Sequence, residues 1–564
     1  MTGIINCNVG ELICLGAMIM AATVSIGAAQ PAPLTSPTSG PTTRQAAIRT
    51  PPAPETPRIN GPRVYGARPG RPFAYQVPAT GVRPMSFAAT GLPAGLEINA
   101  ETGLITGAVH QRGIFPVMLT AKNNRGVQTA GFDIVISDQI ALTPPMGWNN
   151  YNAFRMRIDD NLIRAQTDAM VSSGLVNHGY TYMNIDDGWQ GTRDDGGNIR
   201  PNQKFPDMKA LGDYIHSKGL KFGLYSSPGP RTCAKFEGSY DHEDQDAATY
   251  GAWGVDYLKY DWCFYDGIAQ KIAANGYAAA LPGDAERIQA IVAERVPLTE
   301  IRPRKPESNE RIKVLTAELE TILDKLPGGK RKEIDRAMYI APYMQFGESL
   351  AKVDRDIVYS LCQYGMGNVW EWGPSVKANV WRTTRDITPV WPKFTSIINQ
   401  QVGLEKWASP GHWNDPDMLE IGNGQLTHEE MHTQMTQWCI LAAPLLIGCD
   451  LTKMDELTLS IYSNDEVIAV NQDALGKQGY PASKNGSQEV WLKPLTGGRW
   501  AVALFNRGEE PIEMTYKVSE LKISGPPIVR DLWRQRDLPP DTSEVTVTVG
   551  PHGAEMFSVA PQRK

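Results

Sequence analysis

Cysteine is scarce in this chain, seven in 564 residues, and no two are spaced closely enough for a zinc or iron–sulfur site. Basic residues never gather into a stripe. The net charge of −6 comes from acids and bases mixed along the chain, which excludes a surface built to follow a phosphate backbone, so nucleic acid is not an expected partner. The apolar run from Leu12 to Ile26 is too short to span a bilayer, and no transmembrane segment is expected in the mature chain. Followed by Gly27-Ala28-Ala29, it resembles the core and cleavage site of a secretory leader, although Lys and Arg are missing ahead of it and Glu11 is present. Export to the periplasm or the cell exterior is the expectation, with residues 1–29 removed. Cys233, Cys263, Cys362, Cys439 and Cys449 then remain, an odd number that implies one or two disulfides plus free buried thiols.

What is present divides the chain into roughly two to four folding units, as its length requires. Residues 30–57 are dense in Pro, Thr and Ser and read as an extended tether. Across residues 58–137, short alternating stretches such as Phe73 to Val77 lie between Gly and Pro turns, as in a small β-sandwich. The stretch from Leu92 to Gly107, LPAGLEINAETGLITG, resembles the Ig-like modules that precede many bacterial glycosidases. Positioning is its expected role, with carbohydrate binding as the alternative.

Across residues 141–473 apolar strands alternate with amphipathic helices, so the fold class is α/β and a (β/α)8 TIM barrel is the economical reading. The expected strands include Tyr182 to Ile185, Lys221 to Leu224, Val255 to Lys259, Asp356 to Leu361 and Ala443 to Ile447; Thr427 and Glu430 form a capping box. Residues from about 267 to 337 break the rhythm. Ile312, Leu315, Leu319, Ile322 and Leu326 mark one helical face, and the segment reads as an inserted helical hairpin broken at Pro327-Gly328-Gly329, either shaping substrate access or decorating the surface. From 474 to 564 short alternating strands return, a C-terminal antiparallel β-sandwich.

Barrel enzymes carry their chemistry where strands end, and there this chain concentrates carboxylates. Tyr182 to Ile185 runs into Asp186-Asp187-Gly188-Trp189, and Val255 to Leu258 into Lys259-Tyr260-Asp261. Strand alternation puts Lys259 and Asp261 on one side, and a neighbouring ammonium favours an ionised carboxylate, as a nucleophile needs. In Trp381 to Asp386 an Asp follows Arg382 and Arg385 at four positions and one, which alone reads equally as a surface ion pair. The segment Trp413-Asn414-Asp415-Pro416-Asp417-Met418 adds two more carboxylates, and Trp148 follows the first barrel strand. Carboxylates bind vicinal hydroxyls and an indole covers a sugar's C–H face. Against this, a lone Asp at a strand end is more often a helix cap and Trp is usually core. Hard-cation sites gather their oxygens in one short loop, which Asp186-Asp187 does not, so no metal is expected.

The stretches PPMGWNNYNAF, NIDDGWQ, FGLYSSPG, TCAKFEGSY, WGVDYLKYDWC, IVYSLCQYG, WRTTRDI and HWNDPDML, followed by Val470-Asn471-Gln472-Asp473, resemble in order those of glycoside hydrolase family 27, the α-galactosidase and α-N-acetylgalactosaminidase group. The resemblance runs from about Leu142 to the C-terminus, interrupted by the insert. It implies a retaining exo-glycosidase acting on terminal α-galactosyl groups of an oligosaccharide, polysaccharide or glycoconjugate, with Asp261 as nucleophile and Asp386 as acid/base. It implies Trp148, Asp186, Asp187, Tyr225, Lys259, Gln363, Arg382, Asp417 and Met418 as substrate-binding residues, Asp186 and Asp187 holding O4 and O6, and a disulfide between Cys233 and Cys263. Gln363 stands where most α-galactosidases have Glu, at the position meeting the 2-substituent. A second family disulfide is expected to be absent, because the partner of Cys362 is Ala378 or Asn379. Retention needs carboxyls about 5–5.5 Å apart, no cofactor, and an acid protonated at the start, a state that ionised Asp261 would favour in Asp386. α-N-Acetylgalactosaminidase, β-L-arabinopyranosidase and isomalto-dextranase activities share the scaffold, and a non-catalytic carbohydrate-binding protein is the competing class. Oligomeric state is left open.

Overall fold

The computed structural model describes residues 47–300, 303–523 and 525–562; the expected leader, Cys7 and Cys14 and most of the tether lie outside them. Eight short parallel strands follow one another around the centre: β1 (Met146–Asn149), β2 (Tyr182–Asn184), β3 (Lys221–Ser226), β4 (Tyr257–Tyr260), β5 (Val358–Leu361), β6 (Val380–Arg382), β7 (Trp413–Asp415) and β8 (Leu445–Ile447). From β1 to β7 each pairs with its neighbour in sequence, β8 pairs with β1, and between β7 and β8 the ring is closed among the described residues by one bridge from Leu419, just past β7, to Ile447. The ordered parallel strands with helices between them are the α/β TIM barrel expected from the alternation.

Alternation along the strands fixes what fills the barrel. Tyr182, Tyr257, Val358, Val380, Trp413 and Leu446 pack into one apolar plug. Two residues farther along four of these strands stand Asn184, Lys259, Ser360 and Arg382, and the next step reaches Asp186, Asp261, Cys362 and Thr384. The barrel is thus apolar at its amino end and charged at its carboxyl end.

Helices α1 (Asp160–Ser172), α2 (Met208–Ser217) and α3 (Glu243–Trp253) connect the first four strands. Beyond β4 the chain makes four helices rather than a hairpin: α4 (Asp266–Ala280), α5 (Ala285–Glu300), α6 (Pro306–Leu323) and α7 (Lys330–Lys352). Leu315, Leu319 and Ile322 lie on the buried face that the spacing marks, in a small separate core with Tyr277, Ile288 and Ile334. The hairpin reading fails because Pro327 and left-handed Gly329 only end α6; α7 then runs on as the barrel helix beside α3. α8 (Trp391–Asn399), α9 (His428–Ile440) and, after β8, the short helices Glu456–Tyr462 and Asp465–Asn471 complete the wall, α9 opening with the capping box, in which Glu430 N–H donates to Thr427 Oγ1 at 3.3 Å and Thr427 N–H to Glu430 Oε2 at 2.7 Å.

The N-terminal strands form two facing sheets, one of Val64–Ala67, Gly126–Ile136, Gly113–Asn123 and Ser86–Thr90, the other of Phe73–Gln76, Leu104–Gly107 and Leu96–Ile98, with their own core. This sandwich sits on the amino end of the barrel. Arg68 binds Asp356 at 2.6 Å just ahead of β5, and Lys221, the first residue of β3, bonds Tyr65. The tether reading does not hold up to residue 57: Arg49 is clamped by Glu429 of α9 at 2.6 Å and donates to Ala554 O at 2.9 Å. The C-terminal sandwich, a six-stranded antiparallel sheet and the pair Ile512–Lys517 with Glu544–Val549, shares one apolar core with the barrel through Trp491, Phe505, Trp533 and Met556.

Candidate active site

Asp261, one residue past β4, is buried, and each carboxylate oxygen is held. Oδ2 accepts from Tyr225 OH of β3 at 2.9 Å, and Oδ1 from Tyr364 OH at 2.8 Å and Trp262 N–H at 2.8 Å. Tyr343 of α7 donates to the backbone carbonyl of Asp261 at 3.0 Å, so the inserted segment leads into a helix that holds the backbone of this residue. Burial raises the Asp261 carboxyl above its ordinary value, more than Lys259 and the three donors lower it. The expectation that Lys259 pairs with Asp261 is thus only half right. The Lys259 ammonium reaches across to β2 and binds Asp186 Oδ2 at 2.9 Å, and against its burial the nearby Asp186 and Asp261 carboxylates keep it charged.

Asp186 and Asp187 follow β2. Asn149 donates to Asp186 Oδ2 at 2.8 Å, and Asp187 N–H to Asp186 Oδ1 at 2.9 Å. Ala234 N–H donates to Asp187 Oδ2 at 2.7 Å, while Asp187 Oδ1 is buried without a protein partner. Burial pushes the Asp187 carboxyl up to about 6 against the Ala234 and Thr232 bonds, with Asp186 and Asp261 adding to the rise. Arg382 Nε and Thr384 Oγ1 across the site are also buried without a partner, and an open acceptor such as Asp187 Oδ1 fits the hydroxyl of a ligand. The Cys233–Cys263 disulfide ties the loop that carries Ala234 to the loop that carries Asp261. Cys362, Cys439 and Cys449 are free and buried, and Cys362 has no disulfide partner.

Opposite stands Arg382, buried at the end of β6, which donates to Asp417 at 2.8 Å, Asp386 at 3.1 Å and Thr384 O at 3.0 Å. Asp417 is further fixed by Ile387 N–H at 2.9 Å and Met418 N–H at 2.8 Å. The Asp386 side chain is 69% exposed. What burial it has raises its carboxyl, but Arg382 and Lys259 win and hold it below the ordinary range. The pull of the cation four residues back runs against the protonated state expected of an acid.

Two expected contacts turn inward. Trp148 is 0% exposed, its indole N–H bonded to Cys449 O at 2.8 Å, so it offers no face to a sugar and backs the site as core. Gln363 is also 0% exposed: its amide donates to Met366 O at 2.9 Å and accepts from Gly365 N–H at 3.1 Å, closing a turn. The residue that emerges into the site is its neighbour Tyr364, absent from the sequence reading. The signal for it was the strand-end rule itself, since Tyr364 lies three positions past β5.

The family model described as alpha galactosidase A matches residues 143–298 and 314–473, that of the alpha galactosidase C-terminal beta sandwich domain matches 485–559, and an Ig-domain model matches 56–137. Alpha-galactosidase 2 of Arabidopsis thaliana is 36% identical over 436 residues, 76% of this chain and 92% of that protein. Alpha-galactosidase A of Cellvibrio japonicus is 37% identical over 392 residues, 67% and 80% of the two chains. Among solved structures, alpha-galactosidase I from Mortierella vinacea superposes with a TM-score of 0.60 at 29% identity, covering 75% of this chain and 98% of that one.

Proposed function

The chain belongs to the alpha-galactosidase family of glycoside hydrolases, and from that premise we propose that it releases terminal α-galactosyl groups by double displacement, with Asp261 as nucleophile and Asp386 as acid/base. The observation that carries this reading is the Asp261 carboxylate, buried yet oriented by donors on both oxygens at the mouth of the barrel. In the first step an Asp261 oxygen bonds the anomeric carbon as the glycosidic bond breaks, and the departing oxygen takes a proton from Asp386. In the second, Asp386 takes a proton from water, whose oxygen bonds the same carbon as the ester breaks. A sugar settling over exposed Asp386 strips its water and raises its pKa, the direction that a proton donor needs.

Asp187 with its open Oδ1, and Asp186 braced by Lys259, suit vicinal hydroxyls of a galacto-configured ring. The relatives from Arabidopsis thaliana and Cellvibrio japonicus, 36% and 37% identical over the matched residues, are α-galactosidases, which disfavours the other activities of this scaffold and a purely binding role. Export remains our reading: a disulfide persists outside the reducing cytosol, and no helix among the described residues is long and apolar enough to cross a membrane.

The test is turnover of nitrophenyl α-galactoside against its 2-acetamido and pentose analogues in wild type, Asp261→Ala and Asp386→Ala. The galactoside should lead, Asp261→Ala should abolish turnover, and Asp386→Ala should lower it about 10²–10⁴-fold. Near-wild-type rates in either variant sink the assignment.

A further inference from the structure

The two oxygens of Asp261 are held unequally. Oδ2 has one donor, Tyr225, whereas Oδ1 has two, Tyr364 OH and Trp262 N–H. An oxygen with fewer donors keeps a free lone pair and is the better nucleophile. The other is set up as the carbonyl oxygen of the ester that forms. Taking Asp261 as nucleophile, as proposed above, we infer that Tyr364 is a positioning residue that holds Oδ1 as the non-attacking oxygen, aims Oδ2 at the anomeric carbon and stabilises the carboxylate as the ester breaks.

The surroundings of Tyr364 fit that task. Its backbone lies in the left-handed region, φ 63°, uncommon for a residue with a β-carbon, and the turn is pinned by the Gln363 side chain bonding Gly365 and Met366. Gly365 lies so close to β6 that an added β-carbon would meet Thr383 O at 2.3 Å. The Tyr364 ring lies 5.7 Å from the Arg382 guanidinium, which holds Asp386 and Asp417. The groups around the phenol are Asp261 from β4, Cys362 from β5, and Arg382 and Asp386 from β6 and its loop; burial and the nearby Asp261 hold the phenol far above its ordinary value, so it remains a donor throughout the working range. One side chain thus touches the nucleophile with its hydroxyl and the cation of the acid/base with its ring.

In chemical terms, Oδ2 bonds the anomeric carbon as the leaving oxygen departs with the Asp386 proton, and Oδ1 becomes the ester carbonyl. When water oxygen bonds that carbon and gives its proton to Asp386, the electron pair of the breaking C–Oδ2 bond returns to the carboxylate. The Tyr364 and Trp262 donors strengthen as charge returns to Oδ1. Trp262 donates through backbone, so Tyr364 is the donor that substitution can remove.

The experiment uses the full chain as wild type, Tyr364→Phe and Tyr364→Ala, with α-galactosyl fluoride as substrate across pH and thermal unfolding as the folding control. Tyr364→Phe keeps the ring and loses one donor to an ionised group. The expected result is an acid limb of kcat/KM moved up by about one pH unit and a kcat about ten-fold lower, with an unchanged unfolding midpoint. Tyr364→Ala should show the same shifted limb, with a further loss from the ring's contact with Arg382. An unshifted limb overturns the inference, whether activity is retained or merely lost. A 2-fluoro-galactosyl inactivator separates the two readings. Wild type labelled at Asp261 with an unshifted Tyr364→Phe limb rejects the role of Tyr364 alone, and turnover by a wild type labelled elsewhere rejects the nucleophile assignment and this inference with it.

Discussion

Burial pushes the Asp261 carboxyl up, while Arg382 holds the Asp386 carboxyl down against its own partial burial, directions opposite to those that suit an attacking carboxylate and a proton donor. The raised Asp261 carboxyl has a testable sign. In Asp386→Ala, with fluoride as a leaving group that needs no proton, only the ionisation of Asp261 remains in kcat/KM. The rate should rise with pH through a single limb above about 4, the ordinary aspartate value, and stay level beyond it. A limb at or below that value would contradict the raised nucleophile. The sequence made Asp261 and Lys259 legible as neighbours, because alternation is local. It could not say that Lys259 grips Asp186, since that depends on how β2 and β4 lie on either side of β3. Gln363 and Tyr364 failed for a related reason: the left-handed turn after β5 swings one side chain in and the next out, and no period in the sequence encodes it.

At the scale of elements, the strands were readable as short apolar runs and α9 by its capping box, since both signals are confined to a few adjacent residues. The insert was readable as helical, but its helix count was not, because α6 is placed by packing against α5 and the continuation of α7 by packing against α3 and α4. The close fit between the loop after β3 and the loop after β4 was likewise invisible. There a β-carbon on Gly229 would lie 2.2 Å from Cys263 O and 2.6 Å from the Phe264 carbonyl carbon, both backbone atoms that cannot step aside. Gly229→Ala should therefore displace the nucleophile loop, lowering kcat/KM up to about 10²-fold, as angstrom-scale misplacement does, and costing about 1–3 kcal/mol of stability. Kinetics and urea unfolding on one preparation check both.

The whole molecule divides unevenly. The N-terminal sandwich has its own core and covers the barrel's amino end, away from the carboxylates, so it lines no part of the site described. The C-terminal sandwich is continuous with the barrel: Trp533 is fully buried, with its indole N–H on Thr436 of α9 at 3.0 Å and its ring 4.7 Å from His432. Trp533→Ala should destabilise barrel and sandwich together by about 3–5 kcal/mol, seen as one earlier unfolding transition, while turnover per folded molecule is unchanged well below it. Two separate transitions would refute the shared core.

The Cys233–Cys263 disulfide joins the stretch that presents Ala234 to Asp187 with the stretch that presents Asp261. Under the proposed roles of Asp187 and Asp261, recognition and attack are mechanically geared: a loop remodelled to admit a bulkier or differently configured sugar drags Asp261 with it. New specificity on this scaffold is more accessible from the Arg382 side of the pocket, which carries no covalent link to Asp261 among the described residues, than from the side where the sugar's hydroxyls are expected to sit.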